Sequence, residues 1–196
     1  MVIDDKTYKT DNYINKTTDK TQIVLSSSLR SDSNHLIRLQ HKTMGRSKAY
    51  PAFTVTRNGL IYQHFDSKYT SDFIGVPETD EMVINIVLEN MGYLYNVDRI
   101  YVNHLNEVCS EDRVVKKKWL DFEFWEKYDD KQINALLKLC HFLCEKHDIE
   151  KRIIDFHHFN KNIWKFHGIT LLSNHIEYST NNNPTLDIGL IASKLS

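Results

Sequence analysis

The segment from Met82 to Asn90, MVINIVLEN, constrains the fold more than any other part of the chain. It is rich in β-branched residues, and as a strand it would be apolar on both faces. Such a strand lies inside a sheet that is covered on both sides. The chain is therefore predicted to build a central β-sheet between layers of other structure.

Three further segments predict strands of this sheet. Gln22–Ser27 (QIVLSS) and Gly168–Ser173 (GITLLS) are short apolar runs typical of buried strands. Phe53–Phe65 predicts a hairpin, because β-rich runs flank the turn-forming pair Asn58 and Gly59. Residues 95–120 have mixed charge and weak periodicity, so they predict only short strands or loops.

Two segments predict helices. Residues 129–147 place their apolar side chains on one face, and Asp129 and Gln132 have the spacing of a capping box. Residues 31–45 predict a second helix, which begins at serines and ends at Gly45. Strands that alternate with helices predict an α/β fold with a central mixed β-sheet flanked by helices. Ligands of such sheets bind at the strand ends.

Length and composition predict one domain. The chain has 196 residues, of which 41% are hydrophobic, enough for one core. Residues 1–20 are polar with few apolar anchors, which predicts a flexible N-terminal arm before a single domain at 21–196. Of the three cysteines, Cys140 and Cys144 lie one helical turn apart, which predicts buried free thiols rather than disulfides.

Charge and hydropathy exclude several classes of partner. The 25 basic and 26 acidic residues nearly cancel, so no long-range field favours nucleic acid. No apolar run approaches the roughly 20 residues of a membrane helix, so no membrane insertion is expected. The N-terminus is polar and lacks the apolar region of a signal peptide. We expect a protein made in a cytoplasm.

Four colinear segments resemble the type 2 N-acetylmuramoyl-L-alanine amidases, a group that includes phage lysozyme-like amidases and the peptidoglycan recognition proteins. The resemblance runs from about Gln22 to Ile188. The segments are FTVTRNGLIYQHFDSKYTSDFIG (53–75), VINIVLENMGYL (83–94), FWEKYDDKQINALLKLCHFLCEKHDI (124–149) and NHIEYSTNNNPTLDI (174–188).

The resemblance implies a zinc site whose ligands are largely replaced in this chain. In active members, one histidine ends the first strand, a second ends the last strand, and a cysteine or aspartate follows eight residues later. These positions fall on Ser26, His175 and Asn183, so only His175 is a ligand-type residue. A neutral hydroxyl and an uncharged amide are poor zinc ligands. The resemblance therefore implies no metal cofactor here, with zinc expected only if the enzyme is active.

Other catalytic positions of the family have changed in the same direction. The polar residue beside the hairpin falls on Pro51, the glutamate of the central strand on Val87, and the lysine near the third ligand on Asn181. A histidine of the following loop falls on Phe73, whereas Glu177 is kept. The expected remnant groove therefore comprises Ser26, Phe73, His175, Glu177 and Asn183, without catalytic residues.

Three further patterns have alternative interpretations. His157, His158, His167 and His175 are compatible with a relocated metal site, although surface or capping roles are more common. Another set of residues is compatible with a sugar-stacking strip or with core packing: Trp119, Phe122, Phe124, Trp125 and Tyr128. Ser26–Ser28 lack the elbow motif of a serine nucleophile.

These observations predict a catalytically inactive, amidase-like binding or structural protein, associated with a phage virion or tail or found in the bacterial host cytoplasm. Its expected partner is a peptidoglycan fragment or another phage or host protein. One alternative is an active zinc-dependent amidase, similar to an endolysin, with an atypical site. Another is an intracellular small-ligand sponge or inhibitor.

Overall fold

The computed structural model describes residues 1–31, 35–37 and 48–195. Within these ranges the strands are β1 (Ile3–Asp4), β2 (Gln22–Ser27), β3 (Phe53–Val55), β4 (Ile61–Gln63), β5 (Val83–Leu88), β6 (Tyr93–Val97), β7 (Ile100–Val102), β8 (Val108–Cys109), β9 (Val114–Trp119), β10 (Phe122–Glu126) and β11 (Gly168–Leu171). The α-helices that lie wholly within these ranges are α1 (Pro77–Met82), α2 (Asp130–His147), α3 (Leu172–His175) and α4 (Ile188–Leu195).

The larger sheet has the order β1-β4-β3-β5-β2-β11. Strand β5 lies between β2 and β3 and runs parallel to both, whereas β3 and β4 are antiparallel. Every residue of β2 and β5 is buried, because the sheet is covered on both faces. The predicted α/β fold with a central mixed sheet is confirmed.

The two faces of this sheet differ in chemistry. One face carries the main core, in which Leu25 and Ile86 pack with helix α2 residues such as Leu136. The opposite face has a small apolar cluster that includes Val24 and Leu172. Its other buried positions are largely polar: Ser26, Thr54, Asn85 and Thr170. A buried polar face at parallel strand ends is a favourable place for a ligand site.

The predicted hairpin is confirmed, but its loop is longer than a two-residue turn. Val55 pairs with Ile61, so residues 56–60 form the connection. Gly59 has a φ of +84°, and a Cβ there would lie 2.8 Å from the Lys131 carbonyl oxygen. Glycine therefore lets the hairpin tip approach the first turn of α2.

The predicted capping box of α2 does not form. The Gln132 amide instead donates to the carbonyls of Val55 (2.9 Å) and Glu89 (3.0 Å), which ties α2 to the ends of β3 and β5. The Asp129 carboxylate pairs with Arg113, at 2.8 Å from Nη2. Because both side chains bind distant groups, the local cap is replaced by tertiary contacts.

Residues 93–126 form a second sheet that sequence reasoning missed. Its order is β8-β7-β6-β10-β9, and all its pairs are antiparallel. Strand β9 exposes Lys116–Lys118, and β6 exposes Tyr95 to Val97. Strands that are solvated on one side contain few consecutive apolar residues, so their hydrophobic pattern in the sequence is weak.

The last strand is shorter than predicted. It ends at Leu171, and residues 172–175 form the short helix α3. The Asn174 side chain favours this turn, because its Oδ1 accepts the Leu171 N–H (2.7 Å) and its Nδ2 donates to the carbonyls of Phe156 and His158. His175 therefore lies at the end of a helix, not of a strand.

Residues 1–20, which composition predicts as a flexible arm, contact the larger sheet and its neighbouring loop at several points. Ile3–Asp4 pairs in parallel with β4, and Ile14 forms a bridge with Thr70. Lys20 is buried, and its Nζ donates to the Glu81 carbonyl (2.9 Å). The few apolar residues of this segment are enough to seat it because β4 offers an open edge.

Other local predictions have mixed outcomes. The predicted helix at 31–45 lies largely outside the described residues. Within that range, residues 35–37 are described and are helical. Cys109, Cys140 and Cys144 are buried free thiols, as expected for the last two. Of the aromatic set, Trp125 is fully buried, whereas Trp119 reaches the surface beside it with ring centroids 5.5 Å apart. Trp125 therefore has a role in core packing, whereas Trp119 is partly exposed.

Candidate ligand-binding groove

The carboxyl ends of the parallel strands bring three side chains together, two of them at sequence-predicted positions. Ser26 pairs with Val87, and Val87 pairs with Thr54 on the next strand. The three side chains share the polar face of the sheet, since residues at paired positions point the same way. Ser26 and Val87 are thus adjacent.

Above these strand ends lies a cavity of about 480 Å³, which we call the groove. Its walls also include Pro51, Leu172 and the segment from Ile176 to Asn181. Six of the sequence-predicted positions line it: Ser26, Pro51, Phe73, Val87, Glu177 and Asn181. Phe73 packs beside Val24 and Leu172 and leaves the groove open.

His175 is not among the described residues that line the groove. Its Nε2 lies 2.9 Å from Thr170 Oγ1, and Thr170 pairs with Val24, two residues before Ser26. Burial lowers the pKa of His175 to about 4, so the ring is neutral at pH 7. The imidazole packs over the body of β11 because helix α3 turns it away from the strand end.

Asn183 is also absent from the groove and is committed to contacts within the protein. It is 1% exposed, and its Nδ2 donates to Asn90 Oδ1 (2.8 Å) and to the Glu126 carbonyl. Its Oδ1 accepts the Thr185 N–H at 2.9 Å. The amide therefore joins the loop after the groove to the end of β10, and a ligand role would break these bonds.

Ser26 lies between the groove and a much smaller inner cavity. The residue is 4% exposed, and its buried hydroxyl has no hydrogen-bond partner within the described ranges. The inner cavity, about 10 Å³, is also lined by His157 and Asn182. The next serine differs, because Ser27 Oγ lies 2.7 Å from the Tyr128 hydroxyl. A buried unpaired hydroxyl suits a bound water or a ligand group.

His35 is a groove residue that sequence reasoning missed. It is 8% exposed, and its Nε2 lies 3.3 Å from Thr54 Oγ1. Thr54 Oγ1 is 2.8 Å from His64 Nε2, and His64 Nδ1 donates to the Tyr8 carbonyl (2.9 Å). This order of bonds makes Thr54 a donor to His64 and an acceptor from His35. Only tertiary structure brings the two histidines to one threonine.

The histidines suspected of a relocated metal site do not converge. His157 packs against Trp119, His158 stacks on Phe156 with centroids 4.4 Å apart, and His175 contacts Thr170. In the part of the chain that the structure describes, no group of three or more histidine, cysteine, aspartate or glutamate side chains has the geometry to hold a metal.

Comparisons with known proteins agree with this architecture. The family profile of N-acetylmuramoyl-L-alanine amidase matches residues 14–176. The chain belongs to this amidase family. No curated protein sequence matches it significantly.

Solved structures of amidases share the fold of this amidase-family protein at low identity. The amidase LysC from Clostridium intestinale URNW is 13% identical, with a TM-score of 0.57 over 100% of this chain and 97% of that one. The Ph2119 endolysin from a Thermus scotoductus MAT2119 bacteriophage is 14% identical, with a TM-score of 0.56 over 98% of both chains. An AmpD derivative is 13% identical, with a TM-score of 0.54 over 100% of both chains.

The residues of this family member do not fit the zinc ion that the family resemblance implies. Ser26 offers a neutral hydroxyl, Asn183 is held by three internal hydrogen bonds, and His175 points to Thr170. A catalytic zinc needs about three strong protein ligands and one open position. Only His175 is a strong ligand type, and it lies outside the groove.

The family match includes Ser26, Val87 and His175 but ends before Asn181 and Asn183.

The described residues include no helix that is both long and apolar enough to cross a membrane.

Proposed function

We propose that this amidase-family protein binds a peptidoglycan fragment in the groove and does not hydrolyse it through a zinc centre. One observation carries the proposal: the groove remains open, at about 480 Å³, while the third ligand position, Asn183, is committed to structural hydrogen bonds. The fold of a peptidoglycan amidase is thus kept without a donor set for its metal.

The groove offers groups that suit a short peptide or a lactyl-peptide. Phe73 and Val87 provide apolar wall, and the Ser26 hydroxyl and the Asn181 side chain provide hydrogen-bonding groups. Glu177 adds an exposed carboxylate that attracts an ammonium group. A peptide stem of mixed polarity would satisfy all three kinds of contact.

The groove positions Pro51, Val87 and Asn181 cannot supply the proton transfers of amide hydrolysis. Val87, Pro51 and Asn181 carry no titratable group where the family resemblance implies polar catalytic residues. A general acid or base contributes about 10² to 10⁴ in rate, and an oxyanion donor about 10² to 10³. Together with the poor zinc ligands, these replacements support binding without turnover.

The proposed setting is a phage particle or the cytoplasm of its bacterial host. Two similar structures are endolysins by name, one from Clostridium intestinale URNW and one from a bacteriophage, which supports a phage origin. If the protein is part of the phage particle, it should be present in purified particles at a defined number of copies. Quantitative proteomics of such particles tests it, and absence from particles with presence in host lysate favours the cytoplasmic setting.

Sedimentation with purified peptidoglycan sacculi tests the proposed function. We expect the full chain to sediment with sacculi and to release no stem peptides, with or without added zinc. Asn181→Ala, in the groove, should weaken sedimentation at least threefold, whereas the exposed Asn162→Ala should not. Chelator-sensitive release of stem peptides would contradict the proposal, and so would a failure to bind sacculi.

A further inference from the structure

The inner cavity behind Ser26 is bordered by several buried polar side chains. It has a volume of about 10 Å³. Its lining includes Ser26, Ser27, Tyr128, His157 and Asn182, together with four leucines. Among the described residues, Ser26 Oγ, His157 Nδ1 and Asn182 Oδ1 are buried without a hydrogen-bond partner. Buried polar atoms are nearly always paired in native proteins, so three unpaired atoms in the lining of one small cavity indicate a bound group.

Hydrogen bonds through Ser173 fix the orientation of the Asn182 side chain. The Ser173 hydroxyl donates to the His157 carbonyl, so its oxygen can only accept from other groups. The Asn182 Nδ2 group donates to that oxygen at 2.8 Å. The amide nitrogen therefore faces Ser173, and the Asn182 Oδ1 atom, which can only accept, is the end left for the inner cavity.

The hydroxyl pair of Ser27 and Tyr128 supplies a donor to the same lining. The two oxygens lie 2.7 Å apart and share one hydrogen bond. Two hydroxyls have two hydrogens, so one O–H group of this pair is not used by that bond. The Ser26 hydroxyl can act as a second donor. The lining of the inner cavity therefore has two hydroxyl donors.

His157 adds an acceptor to the lining. Burial lowers the pKa of His157 to about 4, with a smaller contribution from the charge of Lys117, so the ring is neutral at pH 7. A neutral imidazole carries one proton, and the buried Nδ1 atom accepts when that proton is on Nε2. Together with Asn182 Oδ1, this atom gives the inner cavity two acceptors beside its two donors.

The volume and charge of the inner cavity identify the group that fits. About 10–15 Å³ is the smallest volume that holds a water molecule, and a buried water makes about three hydrogen bonds. None of the described residues in the lining is charged at pH 7. A metal ion or an anion would be buried there without a compensating charge, which is strongly unfavourable. A water molecule has two O–H groups and two lone pairs, and it matches this lining.

We propose that the inner cavity binds one water molecule, which donates to His157 Nδ1 and Asn182 Oδ1 and accepts the Ser26 O–H. The remaining O–H of the Ser27 and Tyr128 pair supplies its fourth hydrogen bond. This water pairs all three buried atoms. It also joins the end of β2 to the loops that carry His157 and Asn182.

The water determines which part of the Ser26 hydroxyl faces the groove. Because the O–H group points to the inner cavity, only the oxygen lone pairs are left for a ligand. Ser26 therefore accepts a hydrogen bond from an N–H group and does not donate to a carbonyl. This consequence rests on the proposed function, in which a peptide occupies the groove.

A crystal structure of the ligand-free full chain tests the water site. We expect one water with contacts of about 2.6–3.2 Å to Ser26 Oγ, His157 Nδ1 and Asn182 Oδ1. Nitrogen NMR of His157 gives an independent readout, because the ring should carry its proton on Nε2 and leave Nδ1 as the acceptor. A proton on Nδ1, side chains that close on one another without a water, or a metal ion with contacts of about 2.1 Å would each contradict the proposal.

His157→Phe removes one acceptor, and His158→Phe is its matched control. His158 is the exposed neighbour and is not part of the described lining of the inner cavity. The His157 variant should lose the water and lower the thermal midpoint by about 2–4 °C, whereas the control should change it by less than about 1 °C. A His157 variant that keeps both the water and the midpoint would contradict the site.

The direction of the Ser26 hydroxyl is tested by calorimetry with a muropeptide and with analogues in which one amide N–H at a time is methylated. Loss of one particular N–H should weaken binding to the unaltered protein at least fivefold, and binding to Ser26→Ala less than twofold. Equal losses in the two proteins would contradict the acceptor role. A muropeptide that does not bind contradicts the proposed function, whereas the water site is decided by the ligand-free protein alone.

Discussion

At the scale of one residue, Asn183, which the resemblance places at a ligand position, has a structural role in this protein. Its amide donates to Asn90 Oδ1 and to the Glu126 carbonyl and accepts from the Thr185 backbone. A cysteine or aspartate could not donate to the first two oxygens in the same way. Asn183 therefore contributes to the packing of the loop against β10.

Substitution of Asn183 by alanine or by aspartate should destabilise the protein. Asn183→Ala removes three buried hydrogen bonds and should cost about 2–3 kcal/mol in the free energy of unfolding. Asn183→Asp should cost more at pH 7, because it places a buried carboxylate against two acceptor oxygens. Urea denaturation measures both. An Asp variant as stable as the unaltered protein, or one stabilised by zinc, would contradict the structural role.

Two glycines with similar backbone allow strain and close approach to be separated. Gly59 and Gly75 have φ values of +84° and +87°, but a Cβ added at Gly59 would meet the Lys131 backbone, whereas one added at Gly75 would meet no atom within 4 Å. Gly75→Ala should therefore cost about 1 kcal/mol from strain alone. Gly59→Ala should lower the urea midpoint clearly further. Equal losses would mean that the hairpin and α2 do not rely on this approach.

At the scale of elements, one buried carboxylate joins the two sheets and helix α2. Glu126 ends β10 with its side chain 1% exposed, and it pairs with Arg57 and Arg113, each at 2.9 Å. It also accepts the Met91 N–H at 2.6 Å. Arg113 continues the network to Asp129 at the start of α2. Removal of one partner from a buried network leaves the others uncompensated.

Glu126→Gln should therefore lower the free energy of unfolding by about 3 kcal/mol. Glu123→Ala is the matched control, because Glu123 lies 3.7 Å from Lys116 in an exposed pair and should matter by less than about 0.5 kcal/mol. Chemical denaturation of both variants measures the difference. A loss for Glu126→Gln as small as that of the control would show that the network does not hold the elements together.

Sequence patterns predicted elements wherever burial imposed a period or a turn imposed a residue type. The strand at Val83–Leu88, the hairpin at Gly59 and the helix from Asp130 were found for these reasons. The second sheet was missed because its strands are half exposed. The position of His175 was misjudged because Asn174 caps a helical turn, which no local period announces.

The site could be predicted only in part for a similar reason. The resemblance predicts a remnant groove of Ser26, Phe73, His175, Glu177 and Asn183. Of these, Ser26, Phe73 and Glu177 line the groove, whereas His175 and Asn183 do not. The resemblance could not reveal His35, which reaches the groove through tertiary packing.

At the scale of the whole molecule, buried histidines set a pH dependence of stability. Burial lowers the pKa of His64, His157 and His175 to about 4, from 6.5 in the unfolded chain. The unfolded state therefore binds more protons between these values. Stability is complete above pH 6.5 and is lost as pH falls towards 4.

His64→Gln tests this sign and its size. His64 is fully buried, so its shift corresponds to about 3 kcal/mol between pH 7 and pH 4. The free energy of unfolding in urea, measured at pH 7, 5.5 and 4.5, should fall less steeply with pH in the variant. The difference in slope should correspond to about one proton fewer taken up on unfolding. The same slope in both proteins would show that another group titrates.

Zinc content shows whether this amidase-family fold has lost its metal centre. The full chain is incubated with excess zinc, dialysed against metal-free buffer, and analysed for zinc per protein molecule by elemental analysis. We expect well below 0.1 zinc per molecule, because the three positions that the resemblance assigns to ligands hold a hydroxyl, an amide committed to internal hydrogen bonds and a histidine turned to Thr170. A value near one zinc per molecule would contradict the loss of the metal centre.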